Sequence, residues 1–271
     1  MIDSYYDGSK EIIEHNGSSD YVRISPSSVS NFFEAPRLWW GENLLGEEGF
    51  QGNTGTVLGT INHYFAENAT LGNEIANPEQ DVEDYLATIT CECDKDTVRS
   101  LWQEMSSVLV GNIMNTAKYH STEQFIFEEL LEGIYVGGTY DALVYHSYSN
   151  DPSKCSYTIR DYKTSSTKPT GFSYKYKMQM MVYAWVLRQK GYDIRSIELH
   201  FVTRPTKTLP PRYFKFTEMI NEDDFDKIES QLKTIAHSIK LWKEQPEIRF
   251  ALAQDWRLRE KEKPITFNMK K

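Results

Sequence analysis

Gly138-Thr139-Tyr140-Asp141 and Asp161-Tyr162-Lys163, whose leading aspartates stand twenty positions apart, set the architecture expected of this chain. Each lies in a segment rich in aromatic and β-branched residues, 134–145 and 156–162, and the turn-forming run Ser147-Tyr148-Ser149-Asn150-Asp151-Pro152-Ser153-Lys154 separates them. The two segments are therefore expected to pair as a hairpin. Alternation along the second strand sends Asp161 and Lys163 to one face and Tyr162 to the other. In such a hairpin Asp141 and Asp161 converge. Adjacent carboxylates repel unless a cation lies between them, and hard oxygen ligands with open positions suit Mg²⁺ or Mn²⁺. Taken singly, an acid two residues before a lysine is an ordinary surface ion pair, and an aspartate after two glycines is an ordinary turn residue.

Upstream, residues 1–22 read as a loosely ordered lead, after which Ser25-Pro26-Ser27-Ser28 opens a helix by N-cap chemistry with Pro in the first turn. A glycine-rich passage, 41–59, leads to a second helix in which Ile61, Tyr64, Phe65 and Leu71 recur at helical spacing. On that helix His63 and Glu67 share a face. Helices over 81–88 and 96–118 complete a mainly helical annex, 23–122, and Gln124-Phe125-Ile126-Phe127-Glu128 begins the strands. Downstream, a helix over 172–190 carries Gln179 and Tyr183 one turn apart, strands follow over 197–203 and 212–216, and a long amphipathic helix spans 223–244. The expected fold is a single α/β domain over 1–271, a mixed central sheet flanked by helices: the annex, a sheet-and-helix unit carrying the candidate site at 123–216, and C-terminal helices at 217–271.

Composition narrows the function classes. With 39% hydrophobic and 25% charged residues the chain has material for a core, and its longest apolar run, Met180 to Leu187, is far below the roughly 18 residues of a membrane span. Collagen, repeat arrays and membrane association are excluded on this reading. Three cysteines give no disulfide framework, and the acidic N-terminus gives no targeting pattern, so a cytoplasmic protein of a bacterium or phage-infected cell is expected. The net charge of −9 hides a segregation, because residues 160–215 hold 12 Lys/Arg against three acids. Within that segment Lys168, Lys175 and Lys177 interleave with Phe172, Tyr174 and Tyr176, the mixture used by grooves that bind nucleic acid.

The series His63, Gly138-x-x-Asp141, Asp161-x-Lys163, Gln179-x-x-x-Tyr183, preceded by Ile24-Ser25-Pro26-Ser27-Ser28-Val29-Ser30-Asn31-Phe32-Phe33-Glu34-Ala35-Pro36-Arg37, resembles the RecB-like branch of the PD-(D/E)XK nuclease superfamily. That branch includes the nuclease domain of RecB, the CRISPR-associated exonucleases and the mitochondrial genome maintenance exonuclease. The resemblance implies a restriction-endonuclease-like core and a Mg²⁺- or Mn²⁺-dependent DNA exonuclease acting at DNA ends in recombination, replication or DNA processing, beside proteins of those pathways; a phage source is consistent with it. It implies metal ligation by Asp141, Asp161, His63 and the carbonyl of Tyr162, orientation of the attacking water by Lys163, and DNA or phosphate contacts from Gln179 and Tyr183, with Lys168, Lys175 and Lys177 in the groove. Glu67 and Glu128 stand in reserve as ligands or as residues orienting His63. Ala35 replaces the first cysteine that many relatives give to an iron–sulfur cluster, and three cysteines cannot supply four thiolates, so no iron–sulfur cluster is expected. The alternatives are a catalytically silent, DNA-binding recombination-accessory protein of the same fold, or an endonuclease.

Overall fold

The hairpin forms. In the computed structural model, which describes residue 2 and residues 8–245, β3 (Ile134–Ser147) and β4 (Ser156–Ser165) pair antiparallel around the turn-forming run. In chain order the elements are α1 (Ser9–Asn16), β1 (Val22–Ile24), α2 (Val29–Glu34), α3 (Pro36–Leu44), α4 (Thr54–Leu71), α5 (Pro78–Thr88), α6 (Lys95–Ile113), β2 (Tyr119–Leu131), β3, β4, α7 (Tyr174–Gln189), β5 (Ile194–Thr203), β6 (Tyr213–Met219) and α8 (Glu222–Glu244). The sheet is mixed and six-stranded, in the order β1-β3-β4-β5-β6, with β2 also on β3. β4 and β5 run parallel because α7 carries the chain back between them, the crossover that parallel neighbours require. Both faces of β4 are covered, which is why Ser156–Tyr162 is buried without alternation. α7 and α8 pack one face of the sheet, and α4, α5 and α6 the other.

Four departures from the sequence reading have local causes. The lead is not loose throughout: α1 buries Ile12 completely, and β1 pairs in parallel with β3 through Val22, Arg23 and Ile24. Ser25 makes no side-chain cap; a 3₁₀ turn, Pro26–Ser28, precedes α2, and Ser28 Oγ bonds the Ser25 carbonyl at 2.9 Å. α4 begins at Thr54, inside the glycine-rich passage, because Asn53 and Thr56 form a capping box and Val57 and Leu58 are buried, a packing gain that outweighs the low helix propensity of Gly55 and Gly59. α6 stops at Ile113 rather than Lys118, and the residues from Tyr119 join the 13-residue β2. Of the expected C-terminal helices α8 is seen, and residues 246–271 lie outside the described residues. Among the described residues no helix is long and apolar enough to cross a membrane.

Candidate active site

The β3–β4 ladder runs from Ser147↔Ser156 to Ala142↔Arg160 and ends there. Asp141 and Asp161 are the next residues, facing each other where β3 continues along β2 and β4 continues along β5. In the fork, Asp141 Oδ2 accepts the Tyr162 amide at 2.5 Å, replacing the ladder bond that the divergence removes. α4 brings His63 to the same point, with Nε2 2.6 Å from the Tyr162 carbonyl oxygen and Nδ1 3.5 Å from Asp141 Oδ1. From the other side α7 supplies Gln179, whose amide donates to Asp161 Oδ1 at 3.5 Å. Lys163 Nζ lies 2.6 Å from Asp161 Oδ2, on the shared face that strand alternation required, with the Tyr176 ring 5.5 Å away.

One site residue escaped the sequence reading. The β2–β3 register, Thr122↔Ala142 and Gln124↔Tyr140, puts Glu123 beside Asp141. Glu123 has φ 46°, a left-handed backbone that a glutamate adopts at a cost of about 1–3 kcal/mol. Ligand atoms of His63, Glu123 and Asp141 lie within 4.8 Å of one another, so this group can hold a metal ion. Glu128, held in reserve with Glu67, lies on the same strand but 4.0 Å from Lys190 and outside this cluster. Only the register of β2 on β3 separates the two acids.

The electrostatics are those of an overloaded acidic site. Burial, reinforced by Asp141, pushes Glu123 well above the usual carboxylate range. Burial also raises Asp161, with Lys163 pulling the other way and Asp141 adding to the rise. Asp141 resists burial and is held down by His63, Lys163 and the Tyr162 amide. Against the same burial, Asp141 lifts His63 to about 9, and Asp161 and Asp141 raise Lys163. Three carboxylates thus share two cationic side chains, and burial opposes the ionised form of each of them. Carboxylate oxygens, one imidazole and a nearby carbonyl are the donor set that a hard divalent ion takes, so the residues present fit such an ion. For His63 and the Tyr162 carbonyl both to serve as ligands, the Nε2 proton now bonded to that carbonyl must leave.

The remaining expected residues divide. Tyr183 is 3% exposed, and its hydroxyl donates to the Thr139 carbonyl at 2.6 Å. It braces β3 two residues before Asp141, and the hydroxyl for which a phosphate contact was expected is engaged in that buried bond. Lys177 pairs with Glu218 at 2.6 Å, while Lys168 and Lys175 are exposed and have no ion-pair partner among the described residues. Glu67 lies one turn beyond His63, half-buried and raised by burial, outside the three-residue cluster. The basic segment is less bare than its sequence count: Arg160 and Lys215 pair with Glu198, Arg188 with Glu222 and Lys190 with Glu128.

A profile of the PD-(D/E)XK nuclease superfamily matches residues 23–254. Among solved structures, a candidate exonuclease from Eubacterium rectale is similar at 15% sequence identity and a TM-score of 0.51, covering 97% of each chain. LHK-Exo, solved in complex with dAMP, is similar at 16% identity over 69% of this chain and 92% of its own, with a TM-score of 0.36. No curated protein matches the chain in sequence.

Proposed function

The chain belongs to the PD-(D/E)XK nuclease superfamily, and from that premise we propose that it is a Mg²⁺- or Mn²⁺-dependent DNA exonuclease of the RecB-like type, serving recombination, replication or DNA processing. The observation that supports this reading most is the fork between β3 and β4, where buried Asp141 and Asp161 meet His63, Glu123 and Lys163. Carboxylates buried side by side repel each other, and a cation held between them relieves that repulsion.

Asp141, Glu123, His63 and Asp161 would hold the ion, which when bound supplies positive charge at the scissile phosphate and a more acidic water. Lys163, tethered to Asp161 at 2.6 Å, places a cation where an attacking water must be oriented. Gln179 fixes the Asp161 carboxylate through its amide and can turn the same amide towards a phosphate oxygen. Lys168 and Lys175, exposed and without an acidic partner among the described residues, would meet the DNA backbone just before and in the first turn of α7.

The test uses end-labelled linear and closed-circular DNA, single- and double-stranded, with Mg²⁺, Mn²⁺ or EDTA. Expected are degradation of linear DNA from an end, survival of circles, arrest by EDTA, and a loss of at least about 100-fold in Lys163→Ala at unchanged circular dichroism. Cut circles identify an endonuclease, and retained binding without cleavage identifies the accessory protein. A Lys163→Ala variant within a few-fold of wild type removes Lys163 from the site.

A further inference from the structure

Among the described residues, Arg204 is the one cation of 160–215 that is half-buried without a carboxylate beside it; every other cation of the segment is exposed or paired with an acid. Its Nε is shielded from solvent and makes no hydrogen bond. Leaving such a donor unmade is unfavourable, and an unmade bond of this kind in a native protein calls for a cause such as a bound ion or ligand.

The backbone leaves room for the guanidinium. A Cβ at Gly55, in the first turn of α4, would lie 2.3 Å from Arg204 Nη2, so the side chain rests directly on the helix backbone. The helix end itself is already satisfied, because Asn53 Oδ1 accepts the amides of Gly55 and Thr56 at 2.7 and 3.2 Å. The charge to be accounted for is therefore that of Arg204.

Its position ties it to the catalytic strand. The Arg204 amide donates to the Ser165 carbonyl at 2.8 Å, two residues beyond Lys163, and Thr164 Oγ1 donates to the Gly55 carbonyl at 3.4 Å. Alternation puts Lys163 and Thr164 on opposite faces of β4. Lys163 thus marks the α7 side of the strand end, against Tyr176, and Arg204 the α4 side, against Gly55.

We propose that Arg204 is a substrate-binding residue that holds a non-bridging phosphate oxygen of the DNA strand next to the scissile phosphodiester, an assignment that rests on the nuclease reading above. A planar guanidinium, weakly hydrated and charged at every working pH, matches a phosphate with two parallel N–H donors. With Lys163 on the opposite lip, it lays the strand across the end of β4 so that the neighbouring phosphate falls into the fork.

The test is fluorescence anisotropy of a labelled DNA duplex and a labelled single strand with the full chain, in Ca²⁺ to hold the DNA uncut, over a series of salt concentrations. Arg204→Gln is expected to weaken binding several-fold and to reduce the slope of log affinity against log salt by about 0.7–0.9, the share of one phosphate contact. Arg204→Lys keeps the slope, and the thermal midpoint of Arg204→Gln stays within about a degree of wild type because, among the described residues, the guanidinium has no ion pair to lose. An unchanged slope in Arg204→Gln overturns the assignment, and so does a lowered midpoint, which marks a structural role. Where wild type binds and degrades DNA but the slope is unchanged, Arg204 alone falls. Where wild type neither binds nor degrades DNA, the nuclease reading falls and the assignment with it.

Discussion

Glu123 combines a left-handed backbone, burial and a place beside Asp141 and His63. Each is costly, and a divalent ion would repay all of them together by taking the carboxylate as a ligand. Glu123→Gln is therefore expected to lower Mn²⁺ affinity by at least about 10-fold, since even residues that merely orient ligands are worth 10–100-fold; Glu128→Gln, paired with Lys190 away from the fork, leaves it unchanged. Calorimetric titration compares them, and equal affinities in the two variants would take Glu123 off the ligand set. Asp141, Asp161, Lys163 and His63 were legible as residues because each sits in a spaced motif. Glu123 has no motif, and Tyr183 has the right motif but a buried hydroxyl whose partner, the Thr139 carbonyl, no spacing rule names.

At the scale of elements, the glycines ahead of Asp141 show how a strand is fitted to its neighbours. A Cβ at Gly137 would meet Phe127 Cβ at 2.6 Å and the Ile126 carbonyl at 2.7 Å, and one at Gly138 would meet Pro26 Cδ at 2.8 Å. The close approach that two glycines permit is used by β2 and the turn before α2. Gly137→Ala should cost about 1–3 kcal/mol by overpacking, read as a shift in the urea midpoint; a neutral change would show that β2 yields. On the opposite face of β4, Arg160 bonds Glu198 at 2.8 Å, Glu198 also meets His200 at 3.1 Å and Lys215 at 2.7 Å, and Tyr213 bonds His200 at 2.6 Å, a buried network that fixes β4, β5 and β6 to one another. Burial opposes the Glu198 carboxylate, but its bonds to His200, Lys215 and Arg160 hold it down to about 2. Its contribution to stability is thus complete above the unfolded value of about 4.3 and is lost as the pH falls towards 2. Glu198→Gln, which strands Arg160, is expected to cost about 3–5 kcal/mol at neutral pH. The gap to wild type should narrow in denaturation curves below about pH 4.3, and a constant gap would remove the ionic bond as its cause.

For the whole molecule, the site lies between two layers. α4 comes from the annex on one face of the sheet and α7 from the other, and each delivers a side chain to the fork, His63 and Gln179. Ion binding should then stabilise the entire fold: at about 100 times the dissociation constant, Mn²⁺ would contribute about 2.7 kcal/mol, a rise of roughly 5–10 °C in the unfolding midpoint for a chain of this size. Asp141→Asn should lose that rise in a thermal scan, and a rise of the same size in the variant would place the ion elsewhere. Period and turn chemistry were enough to read the β3–β4 hairpin, the helix that becomes α7, the amphipathic α8 and the convergence of Asp141 with Asp161, because those features repeat within a few residues along the chain. The start of α4 among glycines, the docking of α1 and β1, the choice of Glu123 over Glu128 and the unpaired Arg204 against Gly55 were not readable there. Each is set by contacts between residues far apart in sequence, where packing and strand register outweigh local propensity.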